Sequence, residues 1–160
     1  MAEQKTNVMR VLEQKKITYT PHSYPHGDDA VDGATVAQLI GKAPEQVYKT
    51  LVTVGASKNH YVFVIPVLAE LNLKKAAKAV GEKSIAMLHV SELLPLTGYV
   101  RGGCSPIGMK KQFRTVIDAS CEAQDTITVS AGKIGQQVEV APADLLKLIR
   151  GTNADVINEE

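Results

Sequence analysis

Apolar positions along the chain switch between a helical and an alternating period in short blocks, and the blocks predict an order of elements. In residues 7–16, Val8, Val11 and Leu12 share one face at helical spacing behind Thr6 or Asn7 as a cap, so a short helix is expected. Ile17–Tyr24 alternates apolar and polar positions and carries β-formers, which predicts a strand, and His26-Gly-Asp-Asp reads as a polar loop. Thr35–Ile40 is a predicted helix capped by Thr35 and stopped by Gly41, and Pro44 opens another helical turn through Gln46. Val47–Val54 and His60–Val67 are strands separated by Gly-Ala-Ser-Lys-Asn, which has the length and chemistry of a hairpin loop.

The second half continues the alternation. Asn72 caps the Ala- and Lys-rich LKKAAKAV, which Gly81 ends, and Ser84–His89 reads as a strand. Ser91 is expected to cap a short helix ended by Pro95 or Gly98. Strands follow near Thr115–Asp118, Thr126–Ser130 and Gln136–Val140, and Pro142 opens a last helix, Ala143–Ile149, closed by Gly151. Helices interspersed among six or seven strands, with at least one hairpin, predict a mixed α/β (α+β) fold with a partly antiparallel sheet rather than a doubly wound one. No internal repeat or linker interrupts the pattern. The 160 residues are expected to form one domain, 1–160, with 151–160 as a peripheral tail.

Composition narrows the functional classes. Lys+Arg 18 against Asp+Glu 17 leaves a formal charge of +1, which argues against a polybasic protein that tracks long phosphate runs. An aromatic fraction of 4% without Trp argues against a broad base-stacking platform. Neither excludes a pocket that grips one end of a nucleic acid. No apolar stretch approaches the roughly 20 residues of a membrane span, and the polar N-terminus lacks the apolar core of a secretory signal. Cys104 and Cys121 have no CxxC spacing, so free thiols and a cytoplasmic location are expected.

Three segments carry candidate chemistry. Gly102-Gly103-Cys104-Ser105-Pro106-Ile107-Gly108 can bring backbone N–H groups close to a ligand, although a tight turn alone would use the same residues. Cys104 and Ser105 have no sequence-local base to activate them, and Gly-x-Ser-x-Gly is absent. Ser130-Ala131-Gly132-Lys133-Ile134-Gly135 resembles a phosphate loop but runs into a strand, so a hairpin turn is the simpler reading. Lys49 lies among mostly apolar residues of a strand and must snorkel, pair or face a cavity. His22, His26, His60 and His89 lack metal-ligand spacing, Asp28 and Asp29 read as solvated loop residues, and no metal or cofactor is expected. Lys74-Lys75-Lys78 and Lys110-Lys111-Arg114 are solvated faces or a patch for a nucleic-acid backbone.

Val47-Tyr48-Lys49-Thr50-Leu51, Leu73–Ala79, Thr97-Gly98-Tyr99, the GGCSPIG loop and Ser130-Ala131-Gly132-Lys133, in this order and spacing, resemble the YbaK family from about Val8 to Ile149. These are bacterial Cys-tRNA(Pro) deacylases, similar to the editing domain inserted in bacterial prolyl-tRNA synthetases. The resemblance implies a barrel-like mixed sheet flanked by helices around a central pocket. It also implies an ester hydrolase that removes cysteine mischarged onto tRNA(Pro), with that tRNA's acceptor end and prolyl-tRNA synthetase as partners. A pocket cannot separate cysteine from proline by size alone, so correction at a second site is expected. In this family the substrate's own thiol is thought to open its ester, which agrees with the missing nucleophile.

Carried over, Lys49 falls to the tRNA's terminal phosphate or sugar, Tyr24 to the pocket wall, and Gly102 and Gly103 to N–H groups at the carbonyl oxygen. Ser130 falls to the adenosine or aminoacyl group, and Ser105 and Gly132 to substrate binding. Gln137 stands where the family carries an Asp. Its missing charge keeps open a preference for another small aminoacyl group, such as alanine on the same tRNA. A binding module without turnover is the third reading.

Overall fold

The computed structural model describes residues 5–27 and 31–158, and its elements follow the predicted order closely. Thr6 caps α1 (Asn7–Gln14) by accepting the Met9 N–H at 3.2 Å, and Val8, Met9 and Leu12 are buried. β1 (Tyr19–Ser23) leads to α2 (Gly33–Ile40), which ends on Gly41 at φ 73°. A 3-10 turn, Pro44–Gln46, precedes the hairpin of β2 (Tyr48–Gly55) and β3 (His60–Pro66). Asn72 caps α3 (Leu73–Val80), Gly81 closes it, and β4 (Ile85–Met87) follows. After α4 (Val90–Thr97) come β5 (Arg114–Asp118), a 3-10 turn at Ala119–Ala123, β6 (Ile127–Ser130), β7 (Gln136–Val140), α5 (Pro142–Ile149) and β8 (Thr152–Ala154).

Several element ends shift by one or two residues from the sequence reading, and four further differences change a cap or the sheet. α2 begins two residues before Thr35 because Asp32 is the cap, its carboxylate accepting the Thr35 N–H. α4 runs through Pro95 to Thr97 with His89, not Ser91, at its N-cap. α5 starts on Pro142 itself, and Arg150, not a glycine, takes the left-handed C-cap position at φ 53°. The segment expected at the periphery is structural: β8 joins β5 in parallel, Val156 is fully buried, and its N–H donates to the Asp118 carboxylate at 3.1 Å. The expected His26–Asp29 loop lies partly outside the described residues, as do Asp28 and Asp29 themselves.

The fold is mixed α/β, and the expected barrel-like sheet takes the form of two sheets with no closed barrel among the described residues. One is an antiparallel β1-β7-β6 sheet and the other has the order β4-β2-β3-β5-β8. In the second, β2 is antiparallel to β3 and β4, whereas β3, β5 and β8 run parallel. The sheets meet at one parallel bridge, Val47 to Thr128. Alternation along β2 sends Tyr48, Thr50 and Val52 to one face and Lys49, Leu51 and Thr53 to the other. Tyr48 and Val52 pack into the core shared with Val129 and Val138, and Leu51 packs with Phe63, Ile65 and the buried alanines of α3. No helix among the described residues is long and apolar enough to cross a membrane.

Deleting residues 152–160 is expected to lower stability by at least ~2 kcal/mol, since it removes one fully buried valine and uncovers an edge of β5. Urea denaturation of the shortened chain checks this; an unchanged midpoint would show that β8 adds nothing to the sheet.

Candidate active site

Beyond the Val47–Thr128 bridge, β2 and β6 part, and a cavity of about 120 Å³ opens between them. Tyr24, Lys49, Thr50, Gly102, Ser130 and Gln137 line it together with Cys104, and Val31, Val36 and Val67 give it an apolar side. An apolar cavity of roughly 150 Å³ accepts a benzene ring, so this one suits a side chain of a few heavy atoms. Gly33 permits a close approach at the cavity's apolar side: a Cβ there would stand 2.4 Å from Val67 Cβ, so only glycine lets α2 seat against the chain leaving β3.

Five of the eight residues singled out from sequence therefore converge. Tyr24 is buried, with its ring edge-on to His26 at 6.4 Å between centroids. Lys49 is half-buried at the start of β2 and makes no ion pair among the described residues. Burial pushes its ammonium pKa below the usual lysine value, and the Glu70 carboxylate partly opposes that shift. Ser130 Oγ accepts the Gly132 N–H at 3.2 Å, which shapes the β6–β7 turn. Gln137, on the central strand β7, pairs in register with His22 and Ser130 and is 6% exposed, and its Oε1 has no partner.

The glycine loop divides its labour. Gly102 lies at φ 87°, and the Gly103 N–H donates to the Val100 carbonyl at 3.0 Å, closing a turn with Gly102 in its left-handed position. The Gly102 N–H has no partner among the described residues. Gly103 does not line the cavity, and its amide is spent on the turn. Its lack of a side chain matters instead, because a Cβ would come within 3.1–3.2 Å of the Lys133–Ile134 backbone. Ser105 also stays outside: it is fully buried and its Oγ accepts the Ile107 N–H at 3.2 Å. Gly132, at φ 97°, packs against the Tyr99 ring and borders a different groove, with Lys133 and His26.

Cys104 and Cys121 are both free and buried. Burial pushes the Cys104 thiol up to about 12, so it is protonated at neutral pH and a poor nucleophile. The sequence reading did not single out Thr50 or the α2 residues. A glycine ahead of the predicted helix in Asp32-Gly33-Ala34-Thr35 was the available sign of the latter.

A wider groove of about 1020 Å³ continues from the cavity and shares Lys49, Thr50, Val67 and Gly102 with it. Its outer walls are Leu68, Val90 and Val100, exposed at 64%, 61% and 46%, with Arg101 on the rim and Asp32 at the N-cap of α2. Two residues along β7 from Gln137, Glu139 accepts hydrogen bonds from Thr126 and Lys42 and meets His22 Nε2 at 2.8 Å. Burial alone would raise its pKa, but Thr126, His22 and Lys42 together bring it to about 2. This cluster ties β1, β7, Thr126 and the residue after the α2 C-cap together.

Residues 28–148 match the aminoacyl-tRNA editing domain family, and the chain belongs to it. It is 46% identical over 158 residues to a proposed Cys-tRNA(Pro)/Cys-tRNA(Cys) deacylase, EbsC, of Enterococcus faecalis, covering 99% of this chain and 96% of that one. Among solved structures, a proposed trans-editing enzyme for prolyl-tRNA synthetase superposes with TM-score 0.82 at 24% identity, covering 95% of each chain. A hypothetical protein superposes with TM-score 0.84 at 22% identity, covering 94% of this chain and 99% of that one. At these identities the two structures establish the fold.

Glu139→Gln should destabilise the protein at pH 7 by on the order of 1–2 kcal/mol. A carboxylate whose folded pKa lies near 2 stabilises fully above its ordinary 4.5 and loses that contribution as pH falls through about 2. The gap between wild type and variant in urea melts should therefore close on acidification; a gap constant with pH would assign the effect to shape rather than charge.

Proposed function

We propose that the chain is a free-standing deacylase that hydrolyses cysteine from mischarged tRNA(Pro). The observation that carries this reading is a cavity for a small side chain with no activated nucleophile among its described lining residues. Cys104 is protonated there, and no histidine or carboxylate of the described residues lines the space. Such a site suits a substrate that brings its own nucleophile. The cysteinyl thiol attacks its ester carbonyl, the new C–S bond forms as the bond to the ribose oxygen breaks, and the thiol proton passes to that oxygen. Water then opens the cyclic thioester and releases cysteine.

The protein's part is confinement and charge placement. The Gly102 N–H serves the developing oxyanion, Lys49 the terminal phosphate or sugar, and Tyr24, Ser130 and Gln137 hold the aminoacyl group. The acceptor end's terminal nucleoside occupies the outer groove, its base between aliphatic walls and its phosphate toward Arg101. The E. faecalis relative's name supports this substrate class. Prolyl-tRNA synthetase in the cytoplasm is the partner that would present the tRNA. The neutral Gln137 favours a second reading, in which alanine on the same tRNA is the preferred group. A binding module without turnover is the third.

Single-turnover deacylation of Cys-, Ala- and Ser-tRNA(Pro) separates these readings. Cleavage of the cysteinyl ester is expected, reduced ~10²–10³-fold in Lys49→Ala. Preferential cleavage of the alanyl ester would support the second reading, and cleavage of none would leave the binding module. Arg101→Ala should raise KM for the tRNA ester about fivefold and leave cleavage of a small cysteine alkyl ester unchanged. Equal effects on both substrates would remove the nucleoside from the groove.

A further inference from the structure

We propose that the single-stranded end of the tRNA leaves the outer groove past His26 and Lys133, where Lys133 and Lys110 hold the phosphate of the penultimate nucleotide. This rests on the deacylase reading above and adds to it an RNA-binding surface and a direction. The outer groove shares lining residues with two further grooves of opposite character. Leu68 leads into one of about 840 Å³, lined by Glu45, Glu70 and Asp155 and by no lysine, arginine or histidine among the described residues. Asp155 is paired with Lys75, whereas Glu45 and Glu70 make no ion pair among the described residues. Val100 and Ile134 lead instead into one of about 530 Å³, lined by His26, Tyr99 and Lys133 and by no carboxylate among the described residues.

The backbone brings this second groove close to the cavity. Gly102 lines both the cavity and the outer groove. Its neighbour Gly103 packs so closely on the β6–β7 turn that a Cβ would lie 3.1–3.2 Å from the Lys133–Ile134 backbone. Lys133 lies midway along that turn and is exposed. A Cβ at Gly135, in the same turn, would lie 2.1 Å from the His26 ring, so His26 is seated beside it. Lys110 reaches the groove as well: its side-chain carbons lie 3.3–3.8 Å from where a Cβ of Gly98 would stand, and Gly98 lines the groove. Neither Lys110 nor Lys133 has an ion-pair partner among the described residues. A polyanion follows positive potential and avoids carboxylates. An RNA strand whose terminal phosphate faces Arg101 therefore continues over Val100 toward the lysines, not over Leu68 toward Glu45 and Glu70. Contacts of this kind hold the strand in place and read no base.

The test compares stable amide-linked 3′-cysteinyl analogues of the dinucleotide CA and the trinucleotide CCA, which adds the penultimate nucleotide's phosphate. Calorimetry on the wild type should show the trinucleotide binding about three- to tenfold tighter at low salt. Its log–log salt slope should be steeper by about 0.7, the share of one phosphate on a single strand. Lys110→Ala combined with Lys133→Ala should remove that difference in both affinity and slope. Glu45→Lys, which puts a cation in the acidic groove, should leave the difference as it is. A trinucleotide no tighter than the dinucleotide, a difference that survives in the double variant, or one enlarged several-fold in Glu45→Lys overturns the proposal. These outcomes are independent of turnover. A protein that keeps the difference yet cleaves no ester retains the path and loses the deacylase reading, and cleavage of the cysteinyl ester without the difference does the reverse.

Discussion

Among the described residues the two sheets share one backbone bridge, Val47 to Thr128, while Tyr48 and Val52 pack against Val129 and Val138; the site depends on the backbone pairing ending at that bridge. Had β2 and β6 continued side by side, their backbone groups would have paired and the interior would have closed. Instead the gap is walled by Lys49 and Thr50 from one sheet and Ser130 and Gln137 from the other, and α2 covers it. Glycines hold the opening at its margins. Gly103 lets its loop approach the Lys133–Ile134 backbone, and Gly33 lets α2 settle on Val67. The cavity is small because its surroundings are packed to contact wherever a side chain can be omitted.

Such a site accounts for the protein's chemical economy. The buried thiol beside the gap is unreactive and Lys49 is partly desolvated, so the pocket is better arranged to hold groups than to attack them. An anionic or carbonyl oxygen beside Lys49 would offset its desolvation, which makes the empty site less comfortable than the filled one. Stability lost at the gap is recovered elsewhere, in the Glu139 cluster and in the fully buried valines and isoleucines of both cores.

Much of this was legible in the chain, for reasons that can be stated residue by residue. Asn72 and Gly81 bracket α3 as cap and stop, and the four residues between β2 and β3 make a hairpin, because local chemistry decides both. Lys49 was suspect because a cation among apolar neighbours needs an explanation. The strand missed was β8: Thr-Asn-Ala has no strand pattern of its own and is a strand because the edge of β5 is there to pair with. Thr50 was invisible for the same kind of reason, since a threonine in a strand is ordinary until it is found lining a cavity. Gly103 and Ser105 were placed in the pocket by motif, whereas their hydrogen bonds go to the turns that shape the loop.

The order in which the chain meets itself has a further meaning for the cell. β1 pairs with β7, joining Tyr19 to Val140, and β5 waits for β8 near the C-terminus. Contacts of such long sequence separation form slowly, and none can form before its later half has been synthesised. Tyr24 and Gln137 can meet only after residue 137 has been synthesised, so a shorter nascent chain has no pocket to offer. A truncated product released early would carry unpaired strand edges but no site to capture the acceptor end of a tRNA.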